Sequence, residues 1–141
     1  MRWRVRCALG VYLTGFAEGT CAHLWDLAHG GVHAYAFAPA VLQVFFTVLV
    51  ALDPLVVVLL ARARPAGVTL AAAVMAADVT ANWIADWPHL RDDPNWLWRP
   101  VGLLPITLFG LYVTTTTLPL HRALTARQTR CSGTVSPTRP T

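Results

Sequence analysis

Residues 52–83 read LDPLVVVLLARARPAGVTLAAAVMAADVTANW. Two apolar runs flank a turn that carries Arg62, Arg64 and Pro65. Each run belongs to a segment close to the ~20 residues a helix needs to cross hydrocarbon. The stretch therefore predicts a membrane hairpin with a short basic turn. Outward from it, four apolar segments appear: about Cys7 to Trp25, Pro39 to Ala61, Gly67 to Asp86 and Val101 to Leu120. The expected fold class is all-α, a polytopic four-helix transmembrane bundle occupying residues 1–120 as one domain. Pro39 suits a first helical turn, where its missing N–H is no loss. Pro65 and Pro100 precede spans, and Pro88 and Pro119 lie near the ends of others.

Charge gives the orientation. Arg2, Arg4 and Arg6 precede the first span, Arg62 and Arg64 join the second to the third, and Arg122, Arg127, Arg130 and Arg139 follow the fourth. These segments hold no Asp or Glu, whereas the opposite side pairs Arg91 and Arg99 with Asp92 and Asp93. The positive-inside rule places both termini in the cytoplasm of a multi-pass cell-membrane protein. Trp25, Trp83, Trp87, Trp96 and Trp98 form an aromatic belt at the outer interface. Charged residues make up only 13% of the chain and there is no Lys. A soluble domain needs about a quarter. The basic residues are dispersed between apolar runs, which excludes a nucleic-acid patch.

Cys7 and Cys21 share one helix, roughly 21 Å apart at about 1.5 Å per residue, so they cannot bridge. Cys131 lies in the polar tail, and no CxxC motif is present. Residues 121–141 form a basic cytoplasmic tail, expected to be disordered from Thr125 to Thr141 and to lie against anionic lipid. A cleaved signal peptide is the rival reading of the first segment. Glu18 interrupts it, and nothing after Ala22 resembles a soluble mature start.

Glu18, Asp53 and Asp78 sit inside separate apolar stretches with no arginine beside them. In hydrocarbon such a carboxyl needs a proton, a partner, a cation or a wet cavity. On a helix, Glu18 shares its face with Thr14, Gly15, Cys21, Ala22 and Trp25, while His23 points nearly opposite and can pair with Asp26. Gly15 and Gly19 allow another helix to approach closely. Asp78, Asn82 and Asp86 recur at every fourth position as one polar stripe, which also fits plain hydrogen bonding between helices. Asp53 precedes Pro54, which removes a helical hydrogen bond and predicts a kink near the Val50 carbonyl. Gln43 and Thr47 lie on a different face. Tyr112 is a candidate donor to a carboxylate, and Thr114 to Thr117 read as packing residues.

His23, Asp26, His29, His33, Asp86 and His89 gather at the outer side. Their spacing fits no standard metal or haem site, so no metal and no cofactor is expected. No nucleotide loop or nucleophile elbow occurs.

The stretches GFAEGTCAHLWDL (15–27), residues 52–83 and GLLPITLFGLYV (102–113) together resemble small uncharacterised four-span membrane proteins of high-GC bacteria. The resemblance spans most of the chain except its tails and implies class, not activity. Small multidrug-resistance exporters also have four spans and a Glu in the first, which Glu18 would match. The strong arginine bias, Asp53 and Asp78 depart from that pattern. The sterol-isomerase and sigma-2-receptor-like group offers a fold-level analogy of acids in an intramembrane pocket.

Three functions are compatible with this reading. The first is a pocket of Glu18, Asp53, Asp78 and Asn82 that binds a proton, cation or small amphiphile, with His23, Asp26, Asp86 and His89 as secondary outer residues, in a small transporter. The second is a membrane enzyme on a lipid-like substrate with Glu18 and Asp78 as acid–base pair. The third is a structural or accessory subunit using carboxyls as polar glue. The lipid bilayer is the expected partner, alongside a second copy or another subunit, and no nucleic acid.

Overall fold

A computed structural model describes residues 3–100 and 102–132. Four long helices, α1 (Trp3–Gly30), α2 (Ala40–Ala61), α3 (Pro65–Asp92) and α4 (Leu103–Ser132), are joined with two short 3-10 turns at Gly31–His33 and Pro94–Trp98. The described residues contain no strand. Three of the helices, α2, α3 and α4, are long and apolar enough to cross a membrane. The α1 helix has the length without the composition, because Glu18, His23 and several Gly and Thr residues interrupt its apolar run.

The helices outlast the apolar stretches that predict them. α1 begins at Trp3 and continues to Gly30, α3 runs through Pro88 to Asp92, and α4 runs through Pro119 to Ser132. Residues 125–132, expected to be disordered, are helical instead. Alanine, glutamine and arginine are good helix formers, and the segment continues a helix already nucleated. Arg2, Val101, Arg139 and the tail from 133 onward lie outside the described residues. α2 is helical across Pro54 without interruption.

Packing follows chain order: α1 on α2, α2 on α3, α3 on α4, with a thinner seam between α4 and α1. Cross-helix contacts fix the directions. Gly67 meets Leu59 and Leu60, Gly110 meets Val79, and Phe16 meets Phe109. Low numbers on one helix face high numbers on the next, so the helices alternate up and down. The start of α1, the end of α4 and the 62–64 turn therefore share one end, and the 31–39 and 93–100 segments share the other. The core is built from residues such as Tyr12, Leu49, Val56, Val68 and Val113, each fully buried.

α2 is the most apolar helix, at a mean hydropathy of 2.6, yet only 28% of that window is buried. Val41, Val44, Val48, Leu55 and Val58 face outward, as do Leu108, Leu111 and Leu118 of α4. An apolar jacket of this extent is what lipid accepts and water does not. Polar groups along the helices satisfy themselves: Thr47, Thr80, Thr107, Thr114 and Thr117 each donate to the carbonyl four residues earlier.

Close helix approach depends on absent side chains. A Cβ on Gly67 would lie 2.9 Å from the Leu60 backbone N, which cannot move aside, whereas Gly10 has open space. Gly67→Ala is expected to destabilise the protein by about 1–3 kcal/mol through overpacking. Gly10→Ala is expected to be neutral or to stabilise by up to ~1 kcal/mol. Thermal unfolding of both variants in one detergent checks the contrast.

Candidate functional site

Asp53 is the one buried charged residue among those described, at 5% exposure. It projects from α2 toward α1, where Gly19 leaves it room: a Cβ on Gly19 would lie 2.7 Å from Asp53 Oδ2. The Gly15/Gly19 pair thus serves two neighbours, since Gly15 accommodates the Phe109 ring of α4. Asp53 and Asp78 lie within electrostatic reach of each other across the α2/α3 contact.

Asp78 is half-buried on α3. Asn82 Nδ2 donates to Asp78 Oδ1 and to the Asp78 carbonyl, both at 2.9 Å. The amide therefore steers one carboxylate oxygen and leaves the other free. The stripe continues to Asp86, which is also half-buried.

Above the pair, toward the loop end, sits a polar cap that centres on Tyr35. This residue is 6% exposed and packs against the Phe46 ring, centroids 5.2 Å apart. Its hydroxyl is 2.8 Å from His23 Nδ1 and donates to Asp26 Oδ2 at 3.4 Å. His23 and Asp26 therefore meet through a tyrosine from the following loop, not directly as i, i+3 partners. Burial pushes the Tyr35 phenol above its ordinary value, and the Asp26 charge, the Asp26 hydrogen bond and the Asp78 charge add in the same direction.

Glu18 takes no part. It is exposed on α1, as are Thr14, Cys21, Ala22 and Trp25, so the face predicted for it exists but points outward. An acid–base pair of Glu18 and Asp78 is not assembled within one chain. His89 stacks on Trp96 at 4.4 Å, and the Arg99 guanidinium lies 3.4 Å from the centroid of the same ring, which pins the 3-10 turn to α3. His29 bonds the Trp25 carbonyl, and among the described residues no three His, Cys, Asp or Glu side chains come together as a metal-binding group. Tyr112 stacks edge-on with Tyr12, and the inter-helix donor is Tyr12 itself, whose hydroxyl bonds the Val113 carbonyl of α4 at 2.8 Å. Sequence reasoning missed Tyr12 and Tyr35. A tyrosine inside an apolar run and another in an alanine-rich loop beside histidines are the signals that could have found them.

No known protein family, curated protein or solved structure matches this chain. What the site does has to be read from its own geometry.

The raised phenol has a consequence for stability. A group whose folded pKa is raised favours the folded state fully below its unfolded value and loses that contribution as pH climbs through the folded one. Stability should therefore fall above pH ~10, the ordinary range of tyrosine. Tyr35→Phe should flatten that alkaline loss while lowering stability at neutral pH by about 1–3 kcal/mol, since His23 and Asp26 lose their shared partner. Denaturation midpoints between neutral and alkaline pH, with tyrosinate absorbance as the titration readout, check both effects.

Proposed function

We propose that this chain is a four-span integral protein of the cell membrane, one domain with both termini cytoplasmic, whose interior acidic pair Asp53 and Asp78 binds a proton or a small cation in the course of transport. Asn82 holds Asp78 in place. Tyr35, His23 and Asp26 close the outer side of the site. The basic tail rests on the cytoplasmic leaflet, and no cofactor enters this reading.

The observation that carries the proposal is a pair of interior carboxyls on two packed helices, Asp53 buried on α2 and Asp78 half-buried on α3. Two ionised carboxylates on neighbouring helices repel each other. That repulsion is relieved by a proton on one member or by a cation near both. A small amphiphile with a cationic head satisfies the same charge requirement. The arginine distribution supports the orientation, and the apolar jackets of α2 and α4 support insertion.

Protons and cations compete for such a site. Adding Na⁺, K⁺ or a quaternary ammonium ion to purified protein in weakly buffered detergent should release protons in proportion to site occupancy. Binding should weaken as pH falls. Asp53→Asn and Asp78→Asn should each reduce the release about tenfold or more, given the expense of leaving a cation beside a single buried carboxylate. Equal release from wild type and both variants would remove the pair from the binding site. Unfolding without any ligand response in wild type would favour the structural-subunit reading, in which Asp78 and Asn82 act as polar glue.

A further inference from the structure

The outward face of α3 is hollowed. Val44, Val48, Leu55, Leu108 and Leu111 stand out from α2 and α4, whereas Ala73, Ala76, Ala77 and Thr80 are exposed on α3. Beside these small residues, toward the loop end, Val79, Thr80, Trp83, Ile84 and Trp87 line a cavity of about 620 Å³. A second cavity of about 150 Å³ continues it from Val79 along the α3/α4 contact, past Ala76, Gly110 and Thr114 to Met75. Together they make one furrow from Trp87 to Met75, about 18 Å long at ~1.5 Å per residue. One leaflet offers about half of the ~30 Å hydrocarbon core, so the furrow has the reach of a single acyl chain.

Two groups at the loop end of the furrow argue for one occupant. Trp83 is not an ordinary interfacial anchor, which turns its indole N–H to the headgroups. It donates instead to Thr107 Oγ1 of α4 at 2.9 Å, and its ring is held as a wall of the cavity. Arg91 lies one turn beyond Trp87 on the face that carries Thr80, Ile84 and Trp87, and all four are exposed. It has no ion pair or hydrogen bond among the described residues. Arg99, the other arginine at this end, lies on the Trp96 ring. Asp93 accepts from the Asn95 N–H, and Asp92 is turned about 100° away round the helix. No arginine stands at the loop end of α1 or α2. We infer that the furrow binds one phospholipid of the outer leaflet, with an acyl chain along α3 and α4 and the phosphate on Arg91. A guanidinium suits a phosphodiester, and an apolar guest without one leaves Arg91 unanswered. The inference rests on the membrane-spanning reading of α3 and α4 and does not depend on the acidic pair.

The test is native mass spectrometry of the full chain in detergent with added phosphatidylethanolamine, phosphatidylglycerol or the matching diacylglycerol. The last has the same acyl chains without the phosphate. One phospholipid per chain should stay bound at collision energies that strip detergent, with either headgroup, and diacylglycerol should not. Arg91→Gln should reduce the bound fraction about tenfold, the loss of one charge-assisted contact, and Arg91→Lys should recover much of it. Ala76→Phe places a ring where the two cavities meet and should reduce binding as far. Val44→Phe, on the outward face of α2, should leave it unchanged. Thermal unfolding in lipid-free detergent should stay that of wild type in each variant, because all three positions are exposed. Excess inorganic phosphate should not displace the lipid. Equal retention of diacylglycerol, displacement by phosphate, or undiminished binding in Arg91→Gln or in Ala76→Phe would overturn the inference. Alkaline carbonate extraction of native membranes tests the membrane reading separately. Release of the protein would remove that reading and this inference with it. Protein retained in the membrane that binds no phospholipid would remove the lipid site alone.

Discussion

In hydrocarbon, each polar group has to be satisfied by its own helix or by a neighbour, since no water is at hand. Nearly every feature of this protein answers that constraint. Threonines return their hydroxyl protons to the preceding turn. Trp83 donates its indole N–H to Thr107 on α4 at 2.9 Å, and Thr107 in turn donates to Leu103. None of the described buried side-chain nitrogen or oxygen atoms lacks a hydrogen-bonding partner. Against that background the acidic residues stand apart. Asp78 is half served by Asn82, Asp53 abuts Gly19, and Glu18 faces away from the bundle.

Much of this order was legible in the residues. Length and hydropathy located all four helices to within a few residues at the start of each. The Asp78–Asn82 stripe follows from the helical period alone and appears as a hydrogen bond. The close approach at Gly15 and Gly19 was legible too, because absence of a side chain is a local property. What was not legible is which way α1 is turned. Its two faces are both mixed: Tyr12, Gly19 and His23 on one, Thr14, Glu18 and Cys21 on the other. With no clear apolar stripe, the helical period fixes the angle between residues but not which side packs. The pocket position expected for Glu18 is therefore not met, and the structure turns this mid-helix carboxyl outward. The role of Tyr35 was hidden for another reason. It joins His23 to Asp26 from a loop, and loop geometry has no period to read.

The same limits explain the helix ends. Apolar runs report where hydrocarbon begins and ends, not where the backbone stops being helical. α3 and α4 extend past their apolar stretches because nothing in their sequences ends the helix there. Even Pro88 and Pro119 each remove only one hydrogen bond from an established helix. At the loop end His89 and Arg99 then stack on Trp96 beside the extended end of α3.

The hydroxyl of Tyr12 gives the thin α1/α4 seam an asymmetry. It bonds the Val113 carbonyl and lies 3.1 and 3.3 Å from the hydroxyls of Thr116 and Thr117, all in the half nearer the termini. Without competing water, such bonds are slow to exchange partners and expensive to break. The half nearer the loops is joined to α4 chiefly by the Phe16–Phe109 contact, which has no directional bond to lose. The seam is thus held by directional bonds on one side only, and the side that lacks them lies toward Gly19, where α1 abuts Asp53 of α2.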